Sequence, residues 1–497
     1  MRRRSSDQPV AKALPCLLIS SALALMLASS HALAQTPATA QAAGAQPTNP
    51  LGKITVTLST PAEPAGLVET LPDLLRRVLP SDPQVRSALS QLEATGERRI
   101  QARSRLLPTL GVQTTYGRAA EQEFGLPVDR KTNRAETTLR WNLYNGGNDA
   151  AELRATGIDE TASEQDLRRA QEDSAQRIGE AYLEMLRLQT MVPRALERLQ
   201  AVQRLVEQSR RQADIGKLSD ADTQQAEAAL LDAEIGHEEL VADLQSARRK
   251  LARLIGAASP DDLPRAVAVT LPAPSAGAAS DSMTTTLPGA LAAAQQRARA
   301  ARERVRPQMS LLAPRIDLEV RKQLGDSTTP VVTTQTSHSW QVTARWEFPV
   351  GGEAQSKRDE TERRAEAAEA EAERIQRSLQ AELSTIAPQV AQAERALAQI
   401  VRQIEQYNAL VRAGELQFEA GRRTLQQLIS LRDSRFNAEK RLSEQATRLQ
   451  RARLSQLYYS GELLSALNVF TVPRAAPLKA PAGKLPLDFD DVSARPD

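Results

Sequence analysis

Among 497 residues there is one cysteine and there are three histidines, and aromatic side chains make up 3% of the chain. A lone cysteine, Cys16, forms no internal disulfide, and with His237 and His338 isolated in sequence no cluster of thiolate and imidazole ligands can hold a metal. No stretch approaches the ~20 consecutive apolar residues of a membrane-spanning helix. A phosphate-binding glycine loop, a nucleophile motif and a metal-ligand cluster are all missing, so an enzyme reading finds no catalytic site and no cofactor is expected. With 64 Lys and Arg against 61 Asp and Glu, charge is nearly balanced, and the concentrated basic patch that nucleic acid demands is lacking. Ala, Glu, Gln, Arg and Leu dominate instead, a composition of long helices and coiled coils.

The N-terminus predicts export. Arg2, Arg3 and Arg4 precede an apolar run, Leu17 to Ala28, too short to span a bilayer, and Ala32-Leu33-Ala34 forms a small-residue cleavage site. Residues 1–34 therefore read as a signal peptide that carries Cys16 away with it. Residues 35–69 read as a flexible segment with a possible short strand at Ile54 to Leu58. Entry into a membrane after export requires a closed β-barrel, because lipid leaves an open strand edge unsatisfied.

Four short segments alternate apolar and polar residues with period two. In the first pair Leu110, Val112 and Tyr116 share a face opposite Gln113 and Thr115, while Leu139, Trp141 and Leu143 oppose Glu136, Arg140 and Asn142. In the second pair Ile316, Leu318 and Val320 oppose Arg315, Asp317, Glu319 and Arg321, and Trp340, Val342, Ala344, Trp346 and Phe348 oppose Gln341, Arg345 and Glu347. All three tryptophans lie on the apolar faces, as expected where one face meets lipid and the other a watery lumen. A half-buried soluble sheet alternates in the same way.

The chain is internally duplicated. Trp141 matches Trp346, Gly146-Gly147 matches Gly351-Gly352, and Gly216 matches Gly421, each pair 205 positions apart (346 − 141, 351 − 146, 421 − 216). From each double glycine a helix of about 100 Å runs to the far glycine turn. Pro193 and Pro388 fall inside these rods and are expected to bend or interrupt them. Ser219 and Thr424 are placed to cap return helices, the first carrying Leu240, Leu244, Ala247, Leu251 and Leu254 at coiled-coil spacing. The domain reading is a first repeat at 70–256, a linker at 257–285, a second repeat at 286–468 and an unstructured tail at 469–497.

Leu106-Leu107-Pro108 before a strand, Trp141-Asn142-Leu143-Tyr144-Asn145-Gly146-Gly147, the Ile215-Gly216 turn and Phe418-Glu419-Ala420-Gly421-Arg422-Arg423-Thr424-Leu425 with Leu428 resemble the TolC-like outer-membrane efflux and secretion channels, over residues 70 to 468. The resemblance implies a mainly α fold with a transmembrane β-barrel portion. Four strands per protomer would close a twelve-stranded barrel in a homotrimer, continuous with a periplasmic α-helical tunnel. It implies outer-membrane lipid, a periplasmic membrane-fusion adaptor and an inner-membrane ABC or RND-type transporter as partners. It also implies a gate at the helical tips, where Arg423 and Phe418 hold polar partners, Asp222 among them, between the turns at Gly216 and Gly421. Phe418 stands where the family archetype has tyrosine, and Gln427 and Ser430 replace its acidic constriction rings. The Leu143 to Gly147 segment and the lack of a lipidated cysteine point to type I protein secretion, with small-molecule efflux as the alternative and a pore-free periplasmic coiled-coil scaffold as the contrasting class. With neutral residues at the rings, single-channel recordings are expected to show only weak block by multivalent cations from the periplasmic side, and strong block would count against this alignment of the tip.

Overall fold

The structure, a computed structural model, describes residues 68–123, 126–272, 287–306, 313–328, 332–347 and 350–469. The expected signal peptide, the strand at Ile54 to Leu58, Phe348 and the tail beyond residue 469 lie outside the described residues.

The duplication is carried into three dimensions with its offset intact. Helices α3 (Asn148–Asp214) and α6 (Glu353–Glu419) have 67 residues each, and the return helices α4 (Asp220–Ile255) and α7 (Leu425–Ser460) have 36 each. At 1.5 Å per residue the longer pair extend about 100 Å. Ser219 and Thr424 cap the return helices through their side-chain oxygens, satisfying backbone N–H groups that a helix start leaves unpaired. Pro193 and Pro388 do not interrupt the rods: α3 and α6 run through both. One lost backbone bond is outweighed by the packing of flanking turns, where Met191, Ala195 and Ile386 are buried.

A shorter helix precedes each strand pair, α2 (Pro83–Ser104) and α5 (Gly289–Val305). Asp82 caps α2, its carboxylate accepting from the N–H groups of Gln84 and Val85. The strands β2 (Thr109–Glu123), β3 (Leu126–Asn145), β5 (Arg315–Thr328) and β6 (Val332–Arg345) form one antiparallel sheet in the order β2-β3-β5-β6. Among the described residues β2 and β6 are hydrogen-bonded on one side only.

The main core lies where the repeats meet helix α1 (Leu71–Val78) and the four-residue helix α8 (Leu463–Ala466). Part of the expected linker folds into it: β4 (Arg265–Ala266) pairs in parallel with β1 (Val68–Glu69), and Leu263, Ala266 and Leu271 are buried. The reason is a buried phenol. Tyr182 on α3 donates to the carbonyls of Glu69 and Val267 and accepts from the Val267 N–H, so both segments satisfy their backbone around one hydroxyl. Burial pushes that phenol up to about 12.

Helix α5 docks on α3 through Gly289, where a side-chain carbon would stand 2.9 Å from the backbone N of Arg169 and 2.9 Å from the backbone O of Gln165. Its N–H reaches the buried Glu172 carboxylate, whose pKa burial raises against the pull of that N–H and of Arg168. Gly289→Ala is expected to destabilise the protein by about 1–3 kcal/mol, because helix backbones yield less than side chains. Thermal unfolding in detergent measures the loss.

Candidate functional site

Cross-strand neighbours in an antiparallel sheet share a face, so the register assigns every side chain to one side or the other. Leu110 faces Leu139, Leu139 faces Val320, and Val320 faces Trp340; likewise Trp141 faces Leu318 and Leu318 faces Val342. Val112 belongs to the same surface. This surface has no cover within the protomer: Tyr116 is 87% exposed, Trp340 74% and Val112 70%. Ile316, Leu318 and Leu139, between larger neighbours, are half-buried.

One detail departs from simple alternation. The β3–β5 register slips between Asn142 and Tyr144, so Tyr144 and not Leu143 lies opposite Ile316. Such a bulge adds a residue without a partner and strengthens local twist. Leu143 and Tyr144 are both exposed there. Trp346 falls one position beyond the end of β6 and is also exposed. The Trp141 indole N–H donates to the Leu106 carbonyl at 3.0 Å, which leaves its ring on the apolar surface with the polar end satisfied.

The opposite face is charged and laced together. Arg321 bonds Glu319 at 2.6 Å and Glu136 at 3.1 Å across the strands, Arg140 lies 3.9 Å from Glu319, and Arg315 bonds Asp317 at 2.9 Å. Exposed pairs of this kind contribute ~0–1 kcal/mol each, so they order the wall more than they stabilise it.

At the far end the hairpins reverse at Gly216 and Gly421, with φ of 72° and 68°, left-handed backbone that side-chain-bearing residues avoid. In both turns the N–H one residue past the glycine returns to the preceding helix at 2.8 Å, Lys217 to Gln212 and Arg422 to Gln417. Phe418 is buried in a cluster with Leu205, Val206, Ala226, Leu425, Leu428 and Ile429, which joins all four long helices of the chain. Gln427 and Ser430 are exposed on α7; the Ser430 hydroxyl donates to the Gln426 carbonyl.

The ion pair expected between Arg423 and Asp222 does not form within the protomer. Asp222 completes a capping box, its carboxylate accepting from the Ser219 N–H and hydroxyl. Arg423 instead folds over Gly414 towards Gln417, at 3.4 Å. The local cap wins because it satisfies a backbone N–H three residues away at little entropic cost, whereas a tip ion pair must order two long-range partners in water.

A stronger charged contact sits higher on the hairpins. Arg198 on α3 bonds Asp232 of α4 at 2.7 Å and Asp433 of α7 at 2.9 Å, with its guanidinium 5.1 Å from the Phe436 ring centre. Burial opposes its charge, yet the two carboxylates hold its pKa above the ordinary arginine value. No local motif marks this site, since its members are brought together from three helices. Among the described residues no group of metal-ligating side chains occurs, and no helix is long and apolar enough to cross a membrane. Phe418→Ala is expected to speed amide hydrogen exchange at Leu205, Val206, Leu428 and Ile429 severalfold or more, as a large buried side chain is lost. Arg423→Ala is expected to leave those rates nearly unchanged.

Comparison with known proteins meets the same architecture. The family model described as outer membrane efflux protein matches residues 74–257 and 289–458, one segment on each repeat. No curated protein sequence matches the chain. Among solved structures, VceC of Vibrio cholerae superposes with a TM-score of 0.68 at 17% identity, covering 79% of this chain and 96% of that one. The CmeC outer membrane channel of Campylobacter jejuni gives 0.69 at 12% identity, covering 79% and 86%. The open state of the Neisseria gonorrhoeae MtrE outer membrane channel gives 0.64 at 17% identity, covering 79% and 89%. Identities this low speak for the shared fold, while the family model spans most of the chain in two ordered blocks. The chain belongs to the outer membrane efflux protein family, whose members sit in the outer membrane and extend into the periplasm.

Proposed function

We propose that three copies of this chain form a passive export duct, a twelve-stranded barrel in the outer membrane continuous with a periplasmic helical tunnel. The observation that carries this reading is the two-faced sheet with unpaired edges at β2 and β6. Its apolar face fits hydrocarbon and its charged face fits a water-filled bore. Strands of 14 to 20 residues exceed the ~9–11 needed to cross a bilayer. Four strands are too few to enclose a lumen, so pairing β6 of one copy with β2 of the next supplies both closure and the missing backbone bonds.

Energy comes from an inner-membrane ABC or RND-type transporter, coupled through a periplasmic adaptor at the hairpin tips. The tip residues Gly216, Asp222, Phe418, Gly421, Arg423, Gln427 and Ser430 form the mouth that those partners meet. Type I protein secretion is the proposed cargo class, on the Leu143 to Gly147 segment. Small-molecule efflux is the second reading, favoured by the family's own description. Deleting the gene and assaying both the secretome and drug sensitivity separates the two. Loss of a secreted protein with unchanged sensitivity is expected; unchanged secretion with new sensitivity assigns efflux instead. Retention in membranes washed at high pH is expected of either duct, and release would favour a pore-free scaffold.

A further inference from the structure

The α3–α7 contact inside one chain is also a template for the contact between chains. By the 205-residue offset α6 is the counterpart of α3, and α4 is the counterpart of α7. In a closed ring of hairpins, a reading taken over from the proposed duct, α6 of one copy must therefore meet α4 of the next as α3 meets α7. Both lateral helices have faces that await such a neighbour: Leu231 and Ile235 are exposed on α4, Leu410 and Leu416 on α6.

The two boundaries differ sharply in chemistry. Within the chain, Arg198 pairs with Asp433, Glu184 with Arg451, and Asp173 accepts from the Tyr458 hydroxyl at 2.6 Å. Shifted by 205, these pairs become Gln403 with Ala228, Gln389 with Ser246, and Ser378 with Arg253. None of the three keeps an oppositely charged or acid-to-hydroxyl pair. Gln403 is in addition engaged inside its own hairpin, its side-chain carbonyl accepting from Arg441. The same holds at the tip. Leu425, Leu428 and Ile429, which seal Phe418 within the chain, correspond to Asp220, Thr223 and Gln224, and Phe418 itself corresponds to Ala213.

We propose that the tunnel parts along the seam between copies, α6 against α4, while the two hairpins of one chain move as a single body held by Arg198 and the Phe418 cluster. Two apolar helix faces with few ionic ties can separate and re-form, whereas separating α3 from α7 strands a partly buried guanidinium between two carboxylates and opens an apolar cluster to water.

Full-length protein with cysteine pairs at equivalent positions tests this, using a short bifunctional thiol reagent and single-channel recording in planar bilayers. Arg198→Cys with Asp433→Cys bridges the chain internally; Gln403→Cys with Ala228→Cys bridges neighbours. The second pair is expected to yield covalent dimers and trimers locked in the low-conductance state, and the first to leave opening transitions as frequent as before the reagent. Opening lost on the internal bridge, free opening of the bridged trimer, or no bridge between copies would each overturn the proposal. A reagent-free counterpart installs the missing tie: Gln403→Arg with Ala228→Asp is expected to lower the open fraction about fivefold per seam, the effect of one modest ion pair, and an unchanged open fraction would again overturn it. Complete absence of conductance in the unmodified protein would instead remove the duct reading on which the seam rests.

Discussion

Hydrocarbon offers no hydrogen-bond partner to a peptide group, and the rest of the molecule is organised around that fact. The outer edges of β2 and β6 carry a row of N–H and C=O groups that no described part of the chain pairs. A protomer is thus an open arc whose backbone is completed only by its own kind. The segregation of Trp340, Val342, Trp141 and Leu110 from Arg140, Glu319 and Arg321 follows from the same setting, since each strand touches two different solvents. Helices leave the sheet through the glycine turns at Gly147 and Gly352, both at φ 79°, so the arc of strands passes its geometry to the rods below.

Along the rods the forces change character. Many ion pairs lie within single helices at i, i+3 or i, i+4, such as Arg363 with Glu366 and Arg374 with Glu371, and contribute little beyond helix propensity. Contacts that decide the arrangement are fewer and more buried. Gly179 admits Leu454, whose nearest atom would stand 2.9 Å from an added side-chain carbon, and so sets how closely α3 and α7 approach. Arg198 repeats that join lower down with charge, and the Phe418 cluster closes it at the tip.

Much of this was legible in the residues. Period-two alternation identified the faces, and one constant offset located both glycine turns and both capping residues, because these are local rules of backbone and solvent. Phe418 was singled out from sequence, though as a polar holder rather than as the centre of a packed cluster. The features that escaped depend on distant partners. Nothing near Asp222 announces whether it caps its own helix or reaches another, and the slip at Leu143 arises from pairing with β5, not from the composition of β3. The Arg198 contact requires α3, α4 and α7 to be placed first. The segment after Gly256 reads as a linker by its Ala, Pro and Ser content, yet Tyr182 draws part of it into the core.

That phenol has a mechanical meaning. The first repeat leaves β1 and comes back to β4 beside it, so it is a noose with its neck tied by two parallel residues and one hydroxyl. Beyond the second repeat, the Asn468 carbonyl is gripped by Arg76 of α1, immediately after β1. Both nooses are knotted to the same short stretch. Torque that winds one hairpin finds its reaction at a fastening shared with the other, and the equator of the molecule serves as a common pivot rather than as two loose hems.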